Sequence, residues 1–178
     1  MIKKNTFKIK GPILFNLPRF KDNRGYFEVN YNNKEILKNI IFVQDNLAFS
    51  KKNVLRGLHF QKTRPQGKLI KVLAGKIIDY VVDIRHGSST FGEHIKVELC
   101  SSKNQLFWIP RGFAHGYISI KNENLIQYKV DQYWYKNDEK ILNFFDPKLK
   151  IELPKSKLKM SDKDKSGNNL YKLFNAKK

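Results

Sequence analysis

Two histidines in this chain lie where an imidazole could carry out acid–base chemistry. His59 interrupts the apolar, strand-forming run 54–61, and His115 lies in the turn Pro-Arg-Gly-Phe-Ala-His-Gly at 110–116. A neutral imidazole has an ordinary pKa of about 6.5, which suits abstraction of a moderately acidic proton such as one next to a carbonyl. Either histidine is therefore a candidate general base.

Proton abstraction next to a carbonyl needs a second group to stabilise the enolate and a third to return a proton. Lys68, which opens the next predicted strand, could supply the positive charge. Tyr128, on a late predicted strand, could donate the proton from the other face of the carbon. Spacing alone forces neither role, because a lysine here could be a solvated strand end and a tyrosine a core aromatic.

Short strands separated by Gly, Asn, Ser and Pro make up most of the chain. Alternation over 68–85 predicts a hairpin with one core face and a wet or functional second face that includes Asp79 and Asp83. Further strands are predicted at 41–49, 93–99, 105–109, 116–120 and 125–130, and a short helix at 33–39. The pattern predicts an all-β domain that closes as a sandwich or a small barrel.

Length, charge and cysteine content limit the class of protein. The chain has 178 residues, with 35 Lys and Arg against 16 Asp and Glu and a formal net charge of +19. Its size predicts one domain. The basic residues are spread through every segment, so we expect no nucleic-acid partner. No long apolar run occurs, which predicts a cytoplasmic protein without a membrane partner. A single cysteine, Cys100, excludes an internal disulfide.

The Pro-x-Gly-x-x-His turn that ends at His115 is of a kind found in cupin barrels, where the histidine points inward and often binds a metal. The companion His-x-His motif is missing, because the earlier run reads Leu58-His59-Phe60. These histidines do not supply the three protein ligands of a typical catalytic metal site. We favour the metal-free interpretation and predict no cofactor.

Taken in order, a set of short motifs resembles the dTDP-4-dehydrorhamnose 3,5-epimerase family, the cofactor-free nucleotide-sugar epimerases of the cupin superfamily. The matching segments cover nearly the whole chain: 22–27, 44–46, 53–61, 66–69, 82–85, 89–92, 108–110, 112–116, 128–129, 146–147 and 161–164. Each motif alone is weak, and their common order makes the set specific.

The resemblance implies a cupin-type jelly-roll barrel of antiparallel strands with a few short helices. It implies 3,5-epimerisation of dTDP-4-keto-6-deoxy-D-glucose to dTDP-4-keto-L-rhamnose, at the two carbons that flank the C4 ketone. By similarity, four residues are catalytic: His59 is the base, Asp164 orients it, Lys68 stabilises the enolate and Tyr128 reprotonates from the far face. These four roles are the ones that epimerisation by proton transfer needs: a base, a carboxylate that orients it, a cation that stabilises the enolate oxygen, and an acid.

The resemblance also implies a set of substrate-binding residues and a homodimer. These residues are Arg56 and His115 at the diphosphate or sugar, Gln44 and Asn46 in the nucleotide region, and Arg24 and Phe27 reaching across from the partner subunit.

The same resemblance divides the single domain into three parts. Residues 1–50 carry N-terminal strands exchanged in the dimer, 51–147 form the barrel core, and 148–178 form a Lys-rich C-terminal segment that contains Asp164. Composition alone predicts that this last segment is loosely held. The resemblance instead predicts that it folds back over the barrel mouth to meet His59.

Some positions depart from the family pattern and leave the substrate open. Val29 stands where Glu is usual, with Glu28 one place early; Ala48 replaces a Ser; Trp134 replaces the second Tyr of a pair. The Pro that commonly follows the Ser-x-Lys-Asp motif is also missing. The alternatives are an epimerase acting at C3, C5 or both on another nucleotide sugar, such as a GDP- or CDP-linked hexose or heptose, a non-catalytic nucleotide-sugar-binding cupin, and a metal-dependent cupin oxygenase.

Arg56 and His59 impose a geometric demand on their strand. Side chains of a regular strand alternate between faces, so these two residues should point in opposite directions. If both contact one ligand, the strand must bend or bulge near Gly57, where a glycine permits it.

Overall fold

Antiparallel strands make up most of this computed structural model, which describes residues 1–174. In chain order they are β1 (Lys3–Thr6), β2 (Ile13–Asn16), β3 (Phe20–Asp22), β4 (Gly25–Phe27), β5 (Gln44–Lys51), β6 (Leu55–Gln61), β7 (Lys68–Ala74), β8 (Lys76–Asp83), β9 (His94–Cys100), β10 (Gln105–Ile109), β11 (Phe113–Ser119), β12 (Glu123–Val130) and β13 (Glu139–Ile141). The five separately predicted strands appear as β5, β9, β10, β11 and β12, and β10 has the predicted bounds.

Two sheets pack face to face. One has the strand order β1-β2-β10-β7-β12-β5 and the other the order β13-β6-β11-β8-β9, while β3 and β4 form a separate hairpin. A buried cluster from strands of both sheets forms the main core, and it includes Ile70, Val72, Val81, Val97 and Phe107. The predicted all-β class and cupin-type jelly roll are confirmed.

The interpretation of residues 68–85 as one hairpin is wrong. β7 pairs with β10 and β12, whereas β8 pairs with β11 and β9 in the other sheet. The chain crosses between the sheets at Gly75, which has φ +81° and where a Cβ would clash with the Glu123 carbonyl. Because β8 is covered on both faces, Asp79 and Asp83 are fully buried. The second face of this segment is therefore not wet.

The helix predicted at 33–39 is also wrong. The segment makes one turn, in which Ile36 N donates to Asn32 O at 2.9 Å. Leu37 then takes φ 56°, which ends any helical geometry. Ile36 is only 1% exposed. Burial of one apolar side chain, and not a helical repeat, fixes this connection.

The helices of the described residues are short. A 3₁₀ turn at Pro147–Leu149 precedes α1 (Asp162–Lys165) and α2 (Leu170–Phe174). Across residues 1–174, none of the helices has the length and apolar character that crossing a bilayer requires.

The C-terminal segment packs against the five-stranded sheet. Lys159 forms a bridge with Val54 just before β6. Further on, Leu170 lies in a buried cluster with Leu58 and other residues of that sheet, and its N–H donates to Asp146 Oδ2 at 2.7 Å. The expectation of a loose tail, drawn from composition, is wrong because a few apolar anchors suffice to hold a Lys-rich chain. Residues 175–178 of this segment lie outside the described residues.

Candidate active site

A cavity of about 450 Å³ opens between the two sheets. Most of the sequence-predicted site residues line it: Arg56, His59 and His115 from the five-stranded sheet, and Gln44, Asn46, Lys68 and Tyr128 from the six-stranded sheet. Asp164 reaches this group from the C-terminal segment. Strands distant in sequence therefore converge on one concave site.

The strand that carries Arg56 and His59 contains the predicted bulge. His115 of β11 pairs with His59 of β6, and Tyr117 of β11 pairs with Arg56 of β6. The two pairs are two residues apart on β11 but three residues apart on β6. β6 thus has one extra residue at this point, and both side chains reach the cavity. Gly57 has φ +112°, and a Cβ there would lie 2.6 Å from the backbone of β11. Only glycine allows this close approach.

His59 is held by a buried carboxylate. Its Nε2 lies 2.6 Å from Asp164 Oδ1, and Asp164 is 6% exposed. Burial pushes the pKa of Asp164 up, but hydrogen bonds from His59, Ser161 and the Gly57 N–H outweigh it and hold the pKa below its usual value. An ionised Asp164 accepts a hydrogen bond from His59 in the tautomer that carries its proton on Nε2. The lone pair on Nδ1 is then available to take a proton.

A second carboxylate, which the sequence interpretation missed, faces the other ring nitrogen. Glu139 Oε1 lies 4.0 Å from His59 Nδ1 and borders the cavity. Burial raises its pKa, but the ammonium of Lys163, the nearby His59 and the Trp134 indole outweigh this and lower the pKa overall. No local motif marks Glu139, because it reaches the site only through pairing of β13 with β6.

His115 forms a second histidine–carboxylate pair, with Asp79. His115 Nε2 lies 2.9 Å from Asp79 Oδ2, and Asp79 is fully buried. Burial raises the pKa of Asp79 and lowers that of His115, and the attraction between the two side chains opposes both shifts. The sequence interpretation did not assign Asp79 a role. Its signal was an ionisable residue inside the β-branched run 77–82.

Lys68 lies near this pair on the facing sheet. Desolvation lowers its pKa to about 8, although the charges of Glu139 and Asp79 oppose that fall. Lys68 is therefore mostly a cation at neutral pH, and it can stabilise negative charge that develops on an oxygen in the cavity.

Tyr128 projects from β12, where it pairs with Asn46 on one side and Ile70 on the other. Burial raises its pKa above the usual value, and the neighbouring Tyr117 adds to this, while the charge of Arg56 opposes it. The phenol therefore stays protonated over the physiological range and can act as a proton donor. Arg56 can stabilise the phenolate that such a transfer leaves.

Three positions that depart from the family pattern have different places in the structure. Ala48 and Trp134 border the cavity. Glu28 is turned to a network outside it, with one oxygen 2.6 Å from Arg19 Nε and the other 2.7 Å from Lys71 Nζ. Glu28 is thus engaged in holding the β4 segment to the sheet.

Arg24 and Phe27 are not brought to the cavity by this single chain. They lie on the β3–β4 hairpin, where Arg24 pairs with Asp22 at 2.6 Å and Phe27 is 67% exposed. Within residues 1–174, β3 and β4 pair with each other and with no other strand. A role of these two residues across a subunit boundary stays a prediction.

Within residues 1–174, no group of three or more His, Cys, Asp and Glu side chains is arranged to hold a metal ion. The Nε2 atoms of both cavity histidines are instead within hydrogen-bond distance of carboxylates.

A cupin-type barrel with a histidine–carboxylate pair, a lysine and a protonated tyrosine on one cavity has the groups of an isomerase that works by proton transfer. The family model described as dTDP-4-dehydrorhamnose 3,5-epimerase matches residues 6–172. The chain belongs to the dTDP-4-dehydrorhamnose 3,5-epimerase family.

Individual relatives agree with this assignment along nearly the whole chain. The dTDP-4-dehydrorhamnose 3,5-epimerase of Pseudomonas aeruginosa is 36% identical over 171 residues, which cover 93% of this chain and 94% of that protein. A 3,5-epimerase from Legionella pneumophila, solved with dTDP-4-keto-L-rhamnose, has a TM-score of 0.91 and 36% identity, covering 96% of this chain and 93% of the other. The Bacillus anthracis enzyme, solved with TDP and PPi, has a TM-score of 0.91 and 33% identity, covering 95% and 99%.

Proposed function

We propose that this chain converts dTDP-4-keto-6-deoxy-D-glucose to dTDP-4-keto-L-rhamnose by inverting C3 and C5. The observation that carries the proposal is the placement of His59 and Tyr128 on one cavity but on different sheets. Membership of the family and the dTDP-4-keto-L-rhamnose in the Legionella pneumophila structure support this substrate.

Each inversion begins with His59. Its Nδ1 takes the proton from a carbon next to the C4 ketone, and the electron pair of that C–H bond moves to form the enolate, with negative charge on the C4 oxygen. Asp164, 2.6 Å from Nε2, stabilises the imidazolium that results. The ammonium of Lys68 stabilises the enolate oxygen, which lowers the barrier to forming it.

Tyr128 completes the inversion. Its phenolic proton passes to the carbon from the face opposite His59, and the enolate collapses back to the ketone. Arg56 lies close enough for its charge to affect Tyr128, so it lowers the cost of the phenolate. The same two residues act on the second carbon that flanks the ketone. The proton balance closes when His59 releases its proton to water and Tyr128 takes one back, so the reaction needs no redox partner.

The remaining cavity residues bind the substrate in this account. Arg56 supplies positive charge for the diphosphate and His115 a ring nitrogen for the sugar, with Asp79 fixing the orientation of His115. Gln44 and Asn46, joined by a 2.6 Å hydrogen bond, meet the nucleoside.

We also propose a homodimer in which N-terminal strands within residues 1–50 are exchanged, so that Arg24 and Phe27 of the β3–β4 hairpin enter the partner's site. Exposed apolar side chains support it, because Phe20, Phe27, Leu47, Phe49 and Leu73 are between 37% and 67% exposed. A cytoplasmic location stays a prediction.

The conversion is tested by following the purified protein with dTDP-4-keto-6-deoxy-D-glucose by proton NMR. The proposal expects signals of dTDP-4-keto-L-rhamnose. Inversion at one carbon only would limit the proposal to a mono-epimerase, and no change in a protein that binds the compound would support the non-catalytic alternative.

Ala48 and Trp134 on the cavity wall favour one second candidate, epimerisation of another nucleotide sugar. Comparing the rise in thermal midpoint with dTDP, GDP and CDP discriminates the two, because a ligand that binds only the native state stabilises it. The main proposal expects the largest rise with dTDP.

A further inference from the structure

The cavity holds a second phenol that the proposed reaction does not use. Tyr117 of β11 lines the cavity, is 6% exposed, and has its hydroxyl 2.9 Å from Ser50 Oγ. Ser50 is 2% exposed and does not itself border the cavity. The direction of this hydrogen bond decides whether the Tyr117 hydroxyl proton is used within the protein or is free to be donated to a ligand.

The donors and acceptors around Ser50 fix that direction. Its Oγ accepts a hydrogen bond from Arg56 Nε at 3.1 Å. In residues 1–174, the oxygen of Tyr117 is the one acceptor within reach of the Ser50 hydroxyl proton. Tyr117 borders the cavity and Ser50 does not, so the phenol can find another acceptor in a ligand whereas the Ser50 hydroxyl cannot, and we infer that Ser50 donates to Tyr117. The O–H of Tyr117 is then left without a partner in the described part of the chain, and Tyr117 is one of the residues that line the cavity.

Arg56 stands beside this hydroxyl. Its Nε and Nη2 donate to Ser50 Oγ and to the Phe49 carbonyl, both at 3.1 Å. These contacts fix the guanidinium next to Tyr117 without neutralising its charge. A phenolic donor and a guanidinium on one wall together fit an anionic group of a ligand.

We propose that Tyr117 is a substrate-binding residue that donates its phenolic hydrogen bond to the diphosphate of the nucleotide sugar, beside Arg56. This inference rests on the proposed function, since the diphosphate is the anionic part of such a substrate.

The neighbouring wall of β5 supports the assignment. Asn46, Ala48 and Ser50 share one face of that strand by alternation. Ala48 stands where the family pattern has Ser, so β5 brings no hydroxyl to the cavity at this point, and Tyr117 brings one from β11. Burial also raises the pKa of Tyr117, so its proton stays in place at physiological pH.

Tyr117→Phe tests the proposal because it removes the phenolic hydroxyl and keeps the aromatic ring. We expect dTDP to bind about tenfold more weakly by titration calorimetry, the size of one hydrogen bond to a charged group. We expect the binding of thymidine, which has no phosphate, to be unchanged, and the effect on turnover of the dTDP sugar to fall on KM more than on kcat, because the hydroxyl takes no part in proton transfer. Tyr171→Phe, at an exposed tyrosine of α2, is the matched control and should bind dTDP like wild type.

Unchanged dTDP affinity in Tyr117→Phe would overturn the proposal, as would an equal loss for dTDP and thymidine. If wild type prefers GDP or CDP, the same comparison is made with that nucleotide and its nucleoside. Failure of wild type to turn over the dTDP sugar would refute the proposed reaction, while the binding result for Tyr117 would still decide this inference.

Discussion

His59 and Tyr128 line the same cavity from two different sheets, His59 from β6 and Tyr128 from β12. Inversion of a carbon requires that the proton leaves from one face and returns to the other. A base and an acid on one strand could not readily stand on both sides of a flat enolate. Two packed sheets provide this arrangement, because each contributes side chains to the space between them.

Asp164→Asn should reduce kcat/KM by about 100-fold or more, because the imidazolium formed by His59 loses its counter-charge. The matched control is Asp162→Asn, since Asp162 is on the same helix but its side chain is 98% exposed. Steady-state kinetics of the two variants, with thermal unfolding to check folding, measures the difference. Similar activity in both variants would contradict a role for Asp164 in positioning and charge stabilisation.

The dependence of kcat/KM on pH should report Lys68. Its pKa is lowered to about 8, so the cation is present below that pH and is lost as the pH rises through it. Above the pKa of Lys68 we expect kcat/KM to decrease with pH, with a slope that approaches a tenfold loss for each further pH unit. In Lys68→Arg the arginine side chain keeps its charge to much higher pH. Any activity that remains in this variant should therefore not show the fall in kcat/KM above pH 8. A wild-type profile that stays flat between pH 7 and 9.5 would count against the oxyanion role.

Tyr128→Phe should separate the two halves of the reaction. It removes the donor and leaves the base, so product formation should fall by about 100-fold or more, while exchange of substrate protons with solvent falls much less. NMR in D₂O measures both rates in one sample. Equal losses of exchange and product formation would argue that Tyr128 has another task.

Arg24→Ala and His59→Ala should complement each other if the N-terminal residues enter the partner's site. In a mixed dimer, the chain with intact His59 receives Arg24 from the other chain, which restores one complete site. Random pairing makes roughly a quarter of all sites complete, so co-expressed chains should recover about that share of activity. No recovery, with mixed dimers shown by mass, would indicate that Arg24 serves its own chain.

The sequence motifs identify most of the residues of the candidate site, but they do not show which strands pair with each other in the sheets. The prediction for β10 matches residue for residue because a short apolar run stands there between Asn104 and Pro110. Alternation over 68–85 predicts a hairpin, and the prediction fails because alternation does not reveal which strands pair with each other. Gly75 turns the chain into the other sheet, and a β-sandwich corner has the same local signal as a hairpin turn.

Residues that reach the site through tertiary pairing alone were missed. Glu139 arrives with β13, and Asp79 was noted only as an acid on a wet or functional face. The bulge at Gly57 was predictable, since Arg56 and His59 could share a ligand only if the alternation broke between them. The place of Asp164 followed from the family resemblance, because nothing in a Lys-rich segment indicates that it folds back.

The most direct test of the account is the position of deuterium in His59→Asn. Incubated with dTDP-4-keto-6-deoxy-D-glucose in D₂O, wild type should place deuterium at both C3 and C5 as product forms. His59→Asn, which keeps the size of the side chain but has no basic nitrogen, should place deuterium at neither carbon in the time wild type needs for complete conversion. Deuterium at C3 and C5 of that variant at the wild-type rate would contradict His59 as the base.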